Sequence, residues 1–303
     1  MLEQTFRIDQ LKTLPSDEVG LAVLGYPIAH SISPQLHGAA LQAMAERETE
    51  FKRWNYRKIE VPPGELPLAL PQLAQLGFRG LNLTIPHKVD VLPLLGSIDD
   101  RARAMGAVNT LSWEKNGWKG YNTDGVGLSW AIKQAFKCPV NEFLVLVLGA
   151  GGAARAAVAQ CLFEGCTNLS LFNRSIDRAK QLCQALKENG MEQEISVLES
   201  FCLPYQNSQR PVLVINATSL GLRMEDPAPI DLDCLNGDVC VYDMVYNPPV
   251  TRLLSQAKRK GFAWANGLGM LVGQAARSLE IWTAKSVPME AMSRAAARAM
   301  SGR

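Results

Sequence analysis

The rhythm of apolar and polar positions changes near residue 125. Before it, short strand-like runs alternate with helical spacings. LAVLGYP (21–27) reads as a buried strand closed by Tyr26-Pro27. Residues 35–45, QLHGAALQAMA, carry helical spacing directly after Ser33-Pro34, and a proline following a serine marks a helix start. EFKRWNYRKIEV (50–61) alternates like a half-buried strand and ends at Pro62-Pro63-Gly64. A helix is expected from there to about Leu76, stopped by Gly77. GLNLTIPHK (80–88) runs an apolar strand into Thr84 and Ile85-Pro86, leaving Lys88 on the rim of its sheet. VNTLSW (108–113) and GWKGY (117–121) flank Asn116-Gly117, a hairpin signal.

After residue 125 the runs lengthen. FLVLVLG (143–149) is continuously apolar, as in strands buried on both faces of a parallel sheet. Helix-like AARAAVAQCLFEG follows, then strand NLSLFN (168–173), helix 177–188 and strand PVLVINA (211–217). Strand DVCVYDMVY (238–246), helix 250–260, strand FAWAN (262–266) and a final helix from about Gly269 complete the chain. Strands alternating with helices predict β-α-β units in an open, doubly wound sheet. There is no internal repeat or low-complexity tract.

Composition changes this picture little. The chain has 303 residues, 47% hydrophobic and 20% charged, which suits about two domains with full cores. A formal net charge of +2 without long charge runs argues against nucleic acid and anionic membranes as partners. The seven cysteines, Cys138, Cys161, Cys166, Cys183, Cys202, Cys234 and Cys240, fit neither a zinc site nor a disulfide framework, so reduced thiols in a cytoplasmic protein are expected. MLEQTFRIDQLKTLPSDE lacks the basic start and apolar core of a signal peptide. Residues 143–163 are long enough to span a bilayer, but GAGG and Arg155 interrupt them, so a strand–turn–helix explains them better.

That turn carries the first candidate chemistry. LVLVLGAGGAARAA holds G-x-G-x-x-A at Gly149, Gly151 and Ala154. Gly149 permits the tight turn, Gly151 lets backbone approach a pyrophosphate, and Ala154 keeps helix and strand close. Amides at the helix start favour the anion. An NAD site usually places a carboxylate about 20 residues on, for the ribose 2′-hydroxyl. Here the second strand ends on Asn173, Arg174 and Ser175, with Arg178 a turn later. A guanidinium suits a 2′-phosphate, so NADP is expected over NAD. Asp177 keeps NAD open, and both arginines also fit ordinary solvated charge.

The N-terminal half should then supply the substrate site. Ser31 and Ser33 offer two hydroxyls and free amides at a helix start, good for a carboxylate. Asn82 and Thr84 share one strand face. Asn109 lies in GAVNT and Asp124 in YNTDGVG. Ketone reduction needs a proton donor at the carbonyl oxygen. Lys88, with an ordinary pKa of about 10.4, can donate, and a neighbouring carboxylate, Asp124, would hold its ammonium charged. Plain roles also fit: a solvated Lys88, helix caps at Ser31, Ser33 and Asp124, a turn residue at Asn109. His30, His37 and His87 lie in separate loops without paired ligand spacing, so no metal is expected.

Taken together the motifs resemble the shikimate dehydrogenase family from about residue 20 onward. The matching stretches are GYPIAHSISPQLH (25–37), GLNLTIPHK, GAVNT (106–110), GYNTDGVG (120–127), GAGGAARA (149–156), NRS (173–175), NATSLG (216–221), YDMVYNPPVT (242–251) and GLGMLVGQA (267–275). The family reduces 3-dehydroshikimate to shikimate with NADPH, on the route to aromatic amino acids. The resemblance implies Lys88 and Asp124 as the catalytic pair and Ser31 and Ser33 at the substrate carboxylate. It also implies Thr84, Asn109 and Gln274 at the substrate's hydroxyls or ring, with Tyr246 nearby, while Asn82 joins the substrate set from the strand face it shares with Thr84. The cofactor set becomes Gly149, Ala150, Gly151, Gly152, Ala153, Asn173, Arg174, Ser175, Arg178, Thr218, Met244, Gly267 and Met270. The fold expected is α/β in two domains. Residues 1–125 form a substrate domain with a mixed sheet, completed by helices in 268–303, and 126–267 a Rossmann-type doubly wound parallel-sheet domain for NADP. The partner is a small molecule, and the assembly a monomer or homodimer. Two alternatives stay open: a quinate/shikimate enzyme using NAD, and a dinucleotide-binding regulator without turnover. The first 19 residues receive no role.

Overall fold

The computed structural model describes residues 4–200 and 209–301. Cys202 lies outside them. The chain divides into two compact units: one runs to Thr123 and resumes at Val272, the other is Asp124–Leu271.

The first unit contains β1 (Thr5–Arg7), β2 (Val19–Gly25), β3 (Trp54–Glu60), β4 (Phe78–Leu83), β5 (Ser97–Ile98), β6 (Thr110–Glu114) and β7 (Gly117–Tyr121). They form one sheet in the order β1-β3-β2-β4-β6-β7-β5. The first four are parallel, whereas β6 runs antiparallel to both β4 and β7. The mixed character follows from connection length. Asn116-Gly117 permits a tight hairpin, while β2, β3 and β4 are joined through α1 (Ser33–Ala45) and α2 (Leu66–Gln75), long enough for parallel crossovers. α3 (His87–Asp90) and α4 (Asp100–Met105) follow β4 and β5. Ala22, Leu24, Ile59 and Leu81 pack with Leu70 and Leu73 of α2 in one core. Each fully buried aliphatic side chain there contributes roughly 1.5–3 kcal/mol.

The second unit holds α5 (Asp124–Phe136), β8 (Leu144–Leu148), α6 (Gly152–Phe163), β9 (Leu169–Phe172), α7 (Ile176–Glu188), β10 (Ser196–Leu198), β11 (Val212–Asn216), β12 (Val239–Asp243), α8 (Arg252–Arg259) and β13 (Ala263–Asn266). All six strands are parallel in the order β10-β9-β8-β11-β12-β13. Every residue of β8 is buried, as its unbroken apolar run requires. The strand order reverses between β8 and β11, and ligands of open α/β sheets bind at the carboxyl ends there. In the other sheet the reversal falls between β2 and β4.

The C-terminal helices are α9 (Leu268–Thr283) and α10 (Met289–Ser301). Several strands are shorter than their apolar runs. β12 stops at Asp243 rather than Tyr246, and residues 49–53 form a 3₁₀ turn instead of opening β3. The N-terminal stretch, given no role above, adds edge strand β1. Its Leu14 is buried in the first core, and the Leu14 amide donates to the Leu76 carbonyl at 2.9 Å.

Candidate active site

In the first unit the chemistry gathers at the carboxyl ends of β2 and β4. After β2, the chain turns into α1 through Ser31 and Ser33, whose hydroxyls are 3.2 Å apart. Ile32, not a serine, is the N-cap residue, and Ser33 is the first helical residue. Amides expected free here are largely satisfied. Those of Ser31, Gln35 and Leu36 bond to the carbonyls of Ile28 and Ile32, and that of Ser33 to the Ser31 hydroxyl. Pro34 has none. A carboxylate at this turn therefore meets hydroxyls more than backbone.

β4 ends at Leu83, and the Thr84 amide continues the pairing by donating to the Leu24 carbonyl at 2.9 Å. A cis Ile85-Pro86 bond follows, and Lys88 falls in α3 rather than in open loop. The Lys88 carbonyl accepts from the Val108 amide at 2.8 Å. This ties α3 to the loop carrying Asn109. Thr84 and Lys88 are half-buried.

Asn82 and Asn109 are buried at the centre of one network. The Asn82 Oδ1 accepts from the Tyr56 hydroxyl at 2.7 Å, and its Nδ2 lies 3.0 Å from Thr110 Oγ1 and 2.9 Å from Ser278 Oγ. Asn109 Oδ1 accepts from the Thr123 amide at 2.8 Å, while its Nδ2 lies 3.0 Å from Thr123 Oγ1 and 3.5 Å from Gln274 Oε1. Buried amides so thoroughly paired fix geometry. Asn82, Asn109 and Gln274 are thus brought together, with Tyr56, Thr110, Thr123 and Ser278, which sequence reasoning missed. Thr110 and Thr123 lie inside quoted motifs. Tyr56 and Ser278 gave no signal, because a strand tyrosine and a helical serine look like ordinary core and surface.

His37 stacks on Tyr56 with ring centroids 4.0 Å apart, and burial lowers its pKa to about 3, so it is neutral at ordinary pH. The His87 Nε2 sits 2.8 Å from the Val61 carbonyl. Among the described residues no group of three His, Cys, Asp or Glu is placed to hold a metal ion, and no helix is long and apolar enough to cross a membrane. The six described cysteines are free thiols.

In the second unit Gly149 has φ +111°, a conformation L side chains rarely adopt, and a Cβ there would lie 3.0 Å from the Ala217 carbonyl oxygen. This packs the turn after β8 against Thr218, beyond β11. Ala150 is half-buried, and Gly151, Gly152 and Ala153 are exposed. Cβ atoms built on Gly151 and Gly152 would meet nothing within 4 Å. Open space beside the start of α6 fits a pyrophosphate. Past β9, the Asn173 side-chain amide donates to the Ser175 carbonyl at 2.7 Å, and Ser175 is the N-cap of α7 without a side-chain capping bond. Arg174, Ser175, Asp177 and Arg178 are exposed around this turn. Asp124 is the first residue of α5.

The loops after β11 and β12 are held by Asp243, which is fully buried. It accepts from Asn216 Nδ2 at 2.9 Å, the Val245 amide at 3.0 Å and the Thr251 hydroxyl at 2.6 Å. Burial raises its pKa, opposed by these bonds. Asn216 Oδ1 in turn accepts from the amide and hydroxyl of Thr218. Met244 and Tyr246 ride on the loop that Asp243 anchors. The Gly267 amide donates to the Val245 carbonyl at 3.2 Å, and the Met270 amide to the Tyr242 hydroxyl at 3.2 Å. Thr218, Met244, Gly267 and Met270 therefore converge at the carboxyl edge of this sheet. Asp243 and Asn216 were missed as anchors although both stand in quoted motifs. A buried aspartate inside an apolar strand was the available signal.

Comparison with known proteins agrees across the chain. Residues 23–111 match the family described as shikimate dehydrogenase substrate binding domain, 131–202 the shikimate / quinate 5-dehydrogenase family and 267–297 the shikimate 5′-dehydrogenase C-terminal domain. A shikimate dehydrogenase (NADP(+)) of Citrifermentans bemidjiense is 40% identical over 286 residues, covering 91% of this chain and 93% of that protein. The crystal structure of shikimate 5-dehydrogenase from Thermus thermophilus in complex with NADP(H) and shikimate superposes with a TM-score of 0.79 at 32% identity, over 93% of this chain and 99% of that one. A shikimate 5-dehydrogenase from Listeria monocytogenes in complex with shikimate and NAD gives a TM-score of 0.82 at 27% identity, over 94% and 99%.

Proposed function

The chain belongs to the shikimate dehydrogenase family, and on that premise we propose that it catalyses the reversible, NADP-dependent reduction of 3-dehydroshikimate to shikimate. The observation that carries the reading is near-full-length similarity to an enzyme named for that activity and cofactor. The unit ending at Thr123, with the helices after Leu271, is read as the substrate-binding domain, and the parallel-sheet unit as the NADP-binding domain. Free thiols support a cytoplasmic enzyme.

Bound NADPH would supply hydride to the substrate ketone. The work left to the protein is to hold the substrate and to move one proton. Lys88 donates that proton to the carbonyl oxygen as it becomes a hydroxyl, and takes it back in the reverse direction. Asp124 orients the ammonium for that transfer. Ser31 and Ser33 bind the substrate carboxylate. Thr84, Asn109, Gln274 and Tyr246 meet its hydroxyls, and the buried network around Asn82 holds Asn109 and Gln274 in place. Gly151 and Gly152, with the start of α6, receive the pyrophosphate, while Asn173, Arg174, Ser175 and Arg178 receive the 2′-phosphate.

Following NADPH absorbance with shikimate and NADP tests the reading, and NADPH formation is the expected result. A second reading, quinate oxidation with NAD, is favoured by the exposed Asp177 in the first turn of α7, which suits a ribose 2′-hydroxyl. Quinate with NAD outpacing shikimate with NADP would reverse the assignment.

Arg174→Ala isolates the cofactor choice. Losing a guanidinium–phosphate contact should raise the KM for NADP about 10- to 100-fold and leave that for NAD within about twofold. Equal changes in both would remove Arg174 from the 2′-phosphate site.

A further inference from the structure

The serine turn proposed to hold the substrate carboxylate presents two neutral hydroxyls, and most of its amides are already bonded. Such a turn recognises a hydrogen-bond acceptor but distinguishes poorly between a carboxylate and a neutral ester. A charge bonded to the same loop would change that. Lys58, in β3, supplies one. Lys58 is only 5% exposed, and its Nζ donates to the Ala29 carbonyl at 3.1 Å, two residues before Ser31.

The sheet register explains how it reaches there. Lys58 pairs with Val23 of β2, and Val23 pairs with Asn82 of β4. The three lie in one row across parallel strands and share a face, the face Tyr56 also occupies two residues earlier on β3. Tyr56 bonds Asn82 at 2.7 Å and stacks on His37 of α1, so this face is the floor beneath the start of α1. His37, neutral at ordinary pH, adds no charge to it. A buried ammonium in a lower-dielectric floor acts on a nearby anion more strongly than one in water.

We infer that Lys58 is a specificity residue of the carboxylate site: its ammonium, held at the Ala29 carbonyl, supplies the charge that selects an anionic substrate. The inference rests on the reading that Ser31 and Ser33 hold the substrate carboxylate. A merely structural lysine would affect charged and uncharged substrates alike.

The test compares shikimate with its methyl ester, which keeps the hydroxyls and loses the charge, in wild type, Lys58→Met and Lys58→Gln. Methionine keeps the stem, and glutamine keeps a donor for the turn should methionine impair folding. Both variants should lower kcat/KM for shikimate at least about tenfold, through KM rather than kcat. Turnover of the ester should stay within about threefold and the KM for NADP unchanged. Parallel losses on both substrates, or no loss on either, would overturn the assignment. If wild type turns over shikimate and Ser31→Ala raises its KM while the Lys58 variants do not discriminate, only the Lys58 inference fails. If wild type does not oxidise shikimate at all, the underlying function fails and takes this inference with it.

Discussion

Lys88→Ala is expected to lower kcat about 10³- to 10⁴-fold while leaving the affinity for NADP within about twofold. Positioned general acids typically contribute about 10²–10⁴, and alanine also removes the charge that polarises the carbonyl. Folding should survive. Alanine keeps two backbone bonds of α3: the Lys88 carbonyl accepts from Val108 at 2.8 Å, and the His87 amide donates to the Thr84 carbonyl at 2.9 Å. Neither bond involves the lysine side chain. Single-turnover rates at saturating shikimate, beside a fluorescence titration with NADPH, separate chemistry from cofactor binding. Near-normal kcat would remove the lysine from proton transfer. Loss of NADPH binding in step with kcat would mean the substitution acts through structure.

Gly267→Ala should be the most damaging one-carbon change in the second unit. A Cβ on Gly267 would lie 2.0 Å from the Met244 carbonyl oxygen and 2.6 Å from its carbonyl carbon. Those are backbone atoms of the loop that Asp243 anchors, so no flexible side-chain tip can move aside. Relief requires parting the segments after β12 and β13. A cost of about 3 kcal/mol or more is expected, on the order of 10 °C in Tm, together with weaker NADP binding. Gly151→Ala is the matched control. Its Cβ would meet nothing within 4 Å, so Tm should hold while the Kd for NADP rises. Thermal scans with and without NADP read both effects. An unchanged Tm for Gly267→Ala would refute the contact.

What could be read in advance sorts by the range of the contacts involved. The glycine turn after β8 was legible because its requirements are local: an apolar strand, glycine at φ +111°, and a helix start within a few residues. β8, β11 and the Asn116-Gly117 hairpin were legible for the same reason. β12 was overextended because its apolar run continues through Val245, although the chain leaves the sheet when Asp243 turns inward to Asn216 and Thr251. The free amides expected at the serine turn disappeared because Ile28 and Ile32 carbonyls accept them, a detail of turn geometry that serine spacing does not encode.

From the sequence alone came the α/β class, the alternation that makes the second sheet parallel, the glycine turn after β8, and the order of motifs that marks the family. Periodicity and glycine placement act over a few residues, and the chain carries them openly. Only the tertiary structure decided what stands behind those motifs. Asn82 meets Ser278 across a separation of 196 positions, Lys58 reaches beneath a turn 29 positions earlier, and Gly267 presses on Met244. Such partners are set by strand register and helix packing, which bring distant residues together by burial, and burial leaves no local spacing from which the partner could be named.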